Sequence, residues 1–337
     1  MHRKSVTLFI LSVLFSTLSL GVHAKVFKIA TLSPDGSSWM VIMKQAAKDI
    51  ALKTDDRVKL KFYPGGVMGN DQAVFRKIRA GQLHGTATTG GAISVYYNDA
   101  QIYGLPVIFK NQEEVDYVRK RMDPQIMQGL EDNGFVSFGL ADGGMAYVMS
   151  KAETADVDQL STRKVWVPSD DKAMLETAQA FGIHPVPLNL GDVLTSLQSG
   201  LVDTVATSPI AAIALQWHTQ VEYITDVPLI YLYALLAVDK KVFDKLSAPD
   251  QLVMRDIMGK AFAKIDQLNK DDNINALAAL KNQGLKLLPP TDAQLQQWYK
   301  LAEHSRLQAI ENGQVTQAGV DTATRYIEEL YEQKSQK

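Results

Sequence analysis

Apolar residues alternate between strand-like and helix-like spacing in the first third of the chain. Val26 to Leu32 and Val58 to Tyr63 have the pattern of strands, and Leu83 to Thr88 is a third, shorter one. Between them, Ser37 to about Lys53 and Asp71 to Ala80 carry apolar residues at helical spacing. This alternation of strand and helix predicts an α/β fold with a largely parallel sheet.

A similar unit recurs later in the chain. Residues Asn70 to Thr89 align without a gap with Asn189 to Ser208. In this alignment Asn70 pairs with Asn189 as a helix N-cap, and Gly81 pairs with Gly200 as a helix stop. The spacing is too long for a solenoid, so it predicts two similar lobes. The alternative is coincidence, since amphipathic helix–glycine–strand units are common.

Hydroxyl residues follow the equivalent strands of the two lobes. Thr88 and Thr89 end the first strand, and Thr207 and Ser208 end the second. Because ligands of open parallel sheets bind beyond the carboxyl ends of the strands, we expect these hydroxyls to line a shared cleft. The alternative is that they bond only to local backbone.

The C-terminal third has a different pattern. Ala248 to Gln283 is predicted to form one helix, long enough to brace both lobes. Thr291 begins a further helix, and Gln317 to Glu332 forms a last amphipathic one. We predict residues 25–141 with 228–265 as lobe I, and residues 142–227 with 266–337 as lobe II. Hinge crossings are expected near Leu140 to Gly143 and near Asp226 to Tyr231.

The first residues have the layout of a secretory signal. Arg3 and Lys4 precede an uncharged, mostly apolar stretch that closes on Val22-His23-Ala24. We therefore predict that residues 1–24 are a signal peptide and that the mature protein is periplasmic, without membrane insertion. A membrane anchor is the alternative, which the serines of the stretch and the cleavage site disfavour.

Composition excludes several classes of function. The 337-residue chain has a formal net charge of −2, which argues against nucleic acid or an anionic membrane as a partner. It has no cysteine, hence no disulfide, thiol nucleophile or thiolate metal site. The histidines are scattered, and no catalytic motif is found. We expect no catalytic residues, no metal and no cofactor.

Several motifs in order resemble the DctP-type solute-binding proteins of tripartite ATP-independent periplasmic (TRAP) transporters. They include Tyr63-Pro64-Gly65-Gly66, Gly104-Leu105-Pro106-Val107-Ile108-Phe109, Lys164-Val165-Trp166-Val167-Pro168 and Leu197-Gln198-Ser199-Gly200. The resemblance spans roughly Val26 to Leu246. It implies two α/β lobes with a hinge, a long bracing helix, closure around one ligand, and delivery to TRAP-type permease subunits. We also expect the receptor to be a monomer.

Two arginines of that family are missing here. Trp166 stands where the family usually has an arginine that binds a substrate carboxylate, and Met145 stands near the place of a second. Neither residue offers the charged, bidentate donor that an arginine supplies. The family's carboxylate and amide at the positions of Thr89 and Ser208 are also replaced by hydroxyls.

We therefore predict a ligand other than a simple C4 dicarboxylate or sialic acid, such as a larger neutral, aromatic or cationic molecule. Asp142, Asp170, Asp171 and Asp192 lie near the presumed cleft, and a cation could stack on Trp166. The alternative places Trp166 in the core, with Arg163, Lys164 or Lys172 binding an acid. The predicted ligand-binding residues are Ser33, Trp39, Asp71, Thr88, Thr89, Asp142, Met145, Trp166, Leu190, Thr207, Ser208 and Trp217.

Two functions follow from these observations. The first is a receptor that captures a small molecule and delivers it to a TRAP-type permease. The alternative is a periplasmic binding module without an importer, serving a sensor or another envelope complex. An enzyme is disfavoured because no acid–base pair stands out in the sequence.

Overall fold

A computed structural model describes residues 24–169 and 171–336. Residues 1–23 of the predicted signal peptide, Asp170 and Lys337 lie outside these residues. The strands are β1 (Lys25–Thr31), β2 (Val58–Tyr63), β3 (Gly85–Thr89), β4 (Phe135–Val136), β5 (Leu140–Ser150), β6 (Trp166–Pro168), β7 (Val186–Leu188), β8 (Thr204–Thr207), β9 (Tyr223–Thr225), β10 (Ile230–Asp239) and β11 (Lys286–Leu288).

The helices are α1 (Ser38–Lys53), α2 (Asp71–Arg79), α3 (Gly90–Ile93), α4 (Gln112–Asp132), α5 (Val157–Ser161), α6 (Lys172–Ala180), α7 (Val193–Ser199), α8 (Pro209–Ala214), α9 (Lys240–Phe243), α10 (Ala248–Asn282), α11 (Asp292–Glu311) and α12 (Gln317–Ser335). Three short 3-10 segments add Asn98–Gly104, Leu190–Asp192 and Trp217–Gln220.

One sheet runs through both lobes in the order β11-β9-β5-β10-β3-β1-β2. Strand β1 pairs in parallel with β2 and β3, as the sequence predicts. Strand β10 is antiparallel to β3 and β5, so the sheet is mixed rather than largely parallel. The difference arises because β5 and β10 run in opposite directions between the lobes. We call the part built on β1–β3 lobe I and the part built on β6–β9 lobe II.

Strand β5 joins the lobes by changing its partners. Its first part, Leu140 to Ala146, pairs with β10, whereas Tyr147 to Ser150 pairs with β8. Gly144 has a φ of +85°, and the β5–β10 register shifts between Leu232 and Tyr233. Glycine and an irregular register allow a local change of direction, so this stretch is suited to act as the hinge.

The long helix predicted from the sequence is confirmed. Helix α10 begins at its cap Ser247, whose side chain accepts from the Asp250 backbone N–H, and continues to Asn282. Met254, Met258 and Phe262 pack into an apolar cluster of lobe I, while Leu280 packs into a cluster of lobe II. The helix therefore contacts the cores of both lobes.

The last helix packs on lobe I. Val320 and Ala323 of α12 join the apolar cluster that contains Val115 and Val118 of α4. The Tyr331 hydroxyl donates to Glu114 Oε1 at 2.6 Å. This packing differs from the predicted division, which placed residues 266–337 in lobe II. An amphipathic helix shows which face is buried but not which lobe covers it.

Candidate functional site

The hydroxyls at the end of β3 bond within lobe I. Thr88 is buried, and its Oγ1 donates to Asp71 Oδ1 at 2.8 Å, which connects the end of β3 to the start of α2. Thr89 is exposed, and its Oγ1 accepts from the Ala92 backbone N–H at 3.3 Å as the cap of α3. Bonding to local backbone, the alternative interpretation, thus occurs at Thr89, which also faces solvent, whereas Thr88 bonds to the carboxylate of Asp71.

The equivalent residues of lobe II are more enclosed. Thr207 and Ser208 are 4% and 1% exposed, and Thr207 pairs with Tyr147 of β5. Ser208 precedes α8, whose first turn it serves through its backbone carbonyl rather than its side chain. Both residues lie where β8 ends, beside the hinge strand.

Trp166 lies in the core of lobe II with one edge at a cavity. Its Nε1 donates to the Leu188 carbonyl oxygen at 3.1 Å, and its ring meets that of Trp217 edge-on at 5.0 Å between centroids. Leu190, which is partly buried, packs against the same apolar cluster. Because its N–H already bonds to β7, Trp166 offers a ligand apolar surface rather than a donor.

The three cationic side chains near Trp166 form hydrogen bonds or ion pairs with other residues of the protein. Arg163 donates to Thr154 Oγ1 at 3.0 Å and to the Glu153 carbonyl at 2.7 Å. Lys164 donates to the Gly200 carbonyl at 3.1 Å. Lys172 is largely exposed and pairs with Glu176 at 3.3 Å. These contacts give no support to the alternative that one of these cations replaces the missing arginine.

The remaining predicted site residues are spread over lobe I. Met145 is buried in a lobe I cluster, opposite Tyr231 in the β5–β10 register. Ser33 lies in the loop after β1, where its carbonyl accepts from the Gly65 backbone N–H at 2.9 Å. Trp39 packs edge-on against Phe262 of α10 at 5.2 Å, and its Nε1 is buried without a partner among the described residues.

Asp142 is held in a buried hydrogen-bond network rather than facing a cleft. Its Oδ2 accepts from the Tyr231 hydroxyl at 2.7 Å and from Gln112 Nε2 at 3.2 Å, and its Oδ1 accepts from Asn273 Nδ2 at 3.2 Å. Burial raises the pKa of the Asp142 carboxyl, against the hydrogen bond from Tyr231 and the charge of Arg119. The carboxylate joins β5 to β10, α4 and α10.

Arg119 is the cation of this network. It donates to Asp123 Oδ2 at 2.9 Å, to Asp266 Oδ1 at 2.6 Å and to the Tyr231 hydroxyl at 2.8 Å. Asp266 Oδ1 also accepts from the Asp142 backbone N–H at 2.8 Å. Asp266, Asn269 and Asn273 lie on one face of α10, since residues three and four apart share a helix face. The network fixes α10 to the first residues of the hinge strand β5.

The two lobes touch at their equivalent asparagines. Asn70 Nδ2 lies 3.5 Å from Asn189 Oδ1, which also accepts from the Ser169 hydroxyl at 3.0 Å. Asn70 Oδ1 caps α2 by accepting from the Ala73 backbone N–H at 3.1 Å. The lobes also approach each other at Asp171, the N-cap of α6, and Gly91 of α3, because a β-carbon on Gly91 would lie 2.6 Å from Asp171 Oδ2.

A cavity of about 60 Å³ lies behind Trp166. Its walls are almost wholly apolar and come from lobe II, including Val148, Val167, Met174 and Phe181. Gln101 and Gly104 of lobe I also line it. Gln101 is not among the residues predicted from the sequence, where its only signal is one amide within an otherwise apolar segment, Ala100 to Tyr103.

The described residues contain no group of three or more His, Asp or Glu side chains placed to hold a metal. Within residues 24–169 and 171–336, no helix has the length and apolar character needed to cross a bilayer.

Comparison with known proteins identifies relatives over most of the chain. Residues 29–312 match the bacterial extracellular solute-binding proteins, family 7. An uncharacterised protein of Salmonella typhimurium, YiiZ, is 24% identical over 80% of this chain and 83% of its own length. The sialic acid-binding periplasmic protein SiaP of Vibrio cholerae is 22% identical over 82% of this chain and 83% of its own length.

The fold is also found among solved structures. A TRAP periplasmic solute-binding protein of Roseobacter denitrificans, with bound β-D-glucuronate, superposes with a TM-score of 0.81. The match covers 89% of this chain and 99% of that chain at 17% identity. This confirms the two-lobed α/β architecture.

Proposed function

Because the chain belongs to the bacterial extracellular solute-binding proteins of family 7, we propose that it captures a small molecule between its lobes and delivers it to a TRAP-type permease. The family consists of binding proteins rather than enzymes, which agrees with the lack of a catalytic motif in the sequence. We further propose that the N-terminal signal directs export and that the protein acts in the periplasm. We also propose that it is a monomer, which light scattering after size exclusion would test.

The contact between Asn70 and Asn189 is the observation that carries this proposal. A receptor of this kind holds its ligand by closing, and ligand contacts to both lobes favour the closed state. The two asparagines meet at 3.5 Å from opposite lobes, while β5 has a positive-φ glycine, Gly144, beside its change of partners. A rotation about this stretch would separate the asparagines and open the cleft.

The ligand is a finer part of the proposal. Relatives bind acids, among them sialic acid and β-D-glucuronate. Here Trp166 and Met145 replace the arginines expected from the family resemblance, and both are buried among apolar residues. We propose that this chain belongs to a subgroup without carboxylate-binding arginines. Its ligand would be neutral, aromatic or cationic, bordered by Trp166 and the hydroxyls of Thr89 and Ser208.

Two measurements test the receptor function directly. Mass spectrometry of the protein purified under native conditions should find a co-purified small molecule, because a closed cleft buries its ligand. The molecule can then be removed by partial unfolding, followed by refolding of the protein. X-ray scattering should show a smaller radius of gyration for the protein saturated with the molecule than for the refolded, ligand-free protein. The lack of both a bound molecule and compaction with any tested solute would exclude a hinged receptor.

A further inference from the structure

Gln101 brings an unused acceptor to the edge of the cavity. It belongs to the 3-10 segment Asn98–Gly104 and is 7% exposed. Its Oε1 is fully buried and has no hydrogen-bond partner among the residues that the structure describes. Buried polar groups of native proteins nearly always have partners, so an exception requires an explanation. A ligand that donates to this oxygen would supply one.

A carboxylate from the opposite lobe approaches the same place. A β-carbon on Gly91 would lie 2.6 Å from Asp171 Oδ2 and 3.1 Å from Gln101 Oε1, so both oxygens border one face of this glycine. Asp171 Oδ1 accepts from the Met174 backbone N–H at 2.9 Å, which fixes the carboxylate at the start of α6. Two oxygen acceptors, one of them charged, attract a cationic donor and repel a carboxylate.

The cavity, which Gln101 lines, accommodates an apolar group. Its volume of about 60 Å³ is room for about four water molecules by volume, but its lining offers them few partners. Val148, Val167, Phe181 and the Trp166 ring present carbon surface instead. A short alkyl chain or the edge of a ring matches this shape and chemistry.

We propose that the ligand is a primary amine with a short branched or cyclic apolar group. Its ammonium donates to Gln101 Oε1 next to Asp171, and its apolar group enters the cavity behind Trp166. This inference rests on the proposed receptor function and names the ligand class of the same cleft. Gln101 and Asp171 come from different lobes, so an ammonium between them would also favour closure.

Three probes of the same shape test the charge preference. Isopentylamine, isopentanol and isovalerate share one branched five-carbon skeleton and carry a cation, a neutral hydroxyl and an anion. Calorimetry on the full mature chain should rank the amine first, the alcohol second and isovalerate last, without measurable binding. Equal or tighter binding of isovalerate, or binding of none of the three, would overturn the inference.

Variants at Gln101 test the contact itself. Gln101→Leu should weaken amine binding at least about tenfold, as expected for loss of a hydrogen bond to a charged group. The same variant should unfold at an equal or higher temperature without ligand, because Oε1 has no hydrogen-bond partner among the described residues. Gln101→Glu should tighten amine binding by adding a second negative charge. Unchanged amine affinity in Gln101→Leu would overturn the proposal.

Two further variants complete the test. Gln198→Leu makes the same chemical change on the exposed face of α7 and should leave amine binding unaltered. Ala178→Leu should fill the cavity and weaken the amine without lowering stability. If mass spectrometry instead finds a co-purified sugar acid, the amine inference fails while the receptor function stands. A protein that neither retains nor closes on any solute would contradict the receptor function itself.

Discussion

Asn70 Nδ2 lies 3.5 Å from Asn189 Oδ1, and these two asparagines, 119 residues apart, hold equivalent positions in the internal repeat. Each stands directly before a helical segment of its own lobe. The positions that the alignment marks as helix N-caps are therefore also the positions where the lobes meet. Asn70 serves both purposes, since its Oδ1 caps α2 while its Nδ2 reaches across the cleft, whereas Asn189 precedes the 3-10 segment Leu190–Asp192 without a side-chain cap bond.

Asn70→Asp should weaken ligand binding without weakening α2. Aspartate is as good an N-cap as asparagine, so the bond to the Ala73 N–H is retained. The donor to Asn189 is lost, and two oxygens then face each other. We expect an affinity loss of about 2- to 10-fold, from a net bond worth about 0.5–1.5 kcal/mol, measured by calorimetry. Stopped-flow kinetics should show that the change lies mainly in the dissociation rate.

The matched control is Asn111→Asp at the cap of α4, where Asn111 Oδ1 accepts from the Glu114 N–H at 3.0 Å. This control makes the same exchange in lobe I away from the interlobe contact. Equal affinities for all three proteins would mean that the asparagine contact contributes nothing to the bound state.

Trp166→Leu should reduce ligand affinity more than Trp217→Leu. Both rings are buried in one cluster, so each truncation should destabilise the fold by roughly 2–5 kcal/mol. Trp166 also borders the cavity, whereas its partner Trp217 packs on the other side of the ring contact. Thermal unfolding and calorimetry on the same samples separate the two effects. A larger affinity loss in Trp217→Leu would show that Trp166 does not border the bound ligand.

Gly144→Ala should be more destabilising than Gly200→Ala. Both glycines have positive φ, +85° and +75°, so an added β-carbon is strained at each by about 1–2 kcal/mol. At Gly200 that atom meets nothing within 4 Å, whereas at Gly144 it would lie 2.5 Å from Asn273 Cγ. The difference between the two variants in urea unfolding isolates the contact between α10 and the hinge strand. Adding Asn273→Ala to Gly144→Ala should restore part of this difference in unfolding free energy. If nothing is restored, the loss in Gly144→Ala comes from backbone strain alone.

Tyr231→Phe should cost more stability than Tyr233→Phe, although both rings are buried. The Tyr231 hydroxyl accepts from Arg119 and donates to Asp142, so its bonds involve charged groups worth about 1.5–3 kcal/mol. The Tyr233 hydroxyl donates to the Ala100 carbonyl, a neutral bond worth about 0.5–1.5 kcal/mol. Free energies of unfolding in urea measure both. If the two losses are equal, the charged network does not hold the hinge strand.

Local patterns in the sequence predicted much of the fold. The long helix α10 follows from apolar spacing without an internal break, and it was found within one residue of its predicted end. The equivalence of Asn70 and Asn189 also follows from a short alignment. By contrast, the antiparallel crossing of β10 and the packing of α12 on α4 depend on contacts between distant segments, which spacing along one segment does not encode.

The candidate site was harder to predict for a similar reason. Asp142 was assigned to the cleft because it is an acidic residue on a hinge strand. Its partners Tyr231, Asn273 and Gln112 come from three other elements, and only the folded structure brings them together. Gln101 is not among the predicted site residues, since an amide in an apolar segment gives no sign of whether its neighbours satisfy it. Its lack of a hydrogen-bond partner among the described residues becomes evident only in three dimensions.

His84 should make the fold less stable in mild acid. Burial lowers the pKa of its imidazole from the ordinary value of 6.5, and its Nδ1 accepts from the Lys28 backbone N–H at 3.1 Å, which requires the neutral form at that nitrogen. Near pH 6.5 the His84 imidazole therefore binds a proton in the unfolded chain but stays neutral in the folded one. Stability from this group is complete above that pH and is lost as pH falls toward the lower folded pKa.

His84→Asn retains an acceptor near the Nδ1 position but does not titrate. The difference in unfolding free energy between the original protein and this variant should therefore decrease steadily from pH 7.5 to pH 5, as followed by urea unfolding at constant ionic strength. His304→Asn, on the exposed face of α11, is the control for the same substitution. A difference for His84→Asn that stays constant over this range would show that the Lys28 contact survives protonation of the ring. In that case the acid sensitivity of the fold would have to come from its buried carboxylates. Asp142 cannot be that source, because burial raises the pKa of its carboxyl. The folded chain therefore binds this proton more readily than the unfolded chain, and the group stabilises the fold as pH falls.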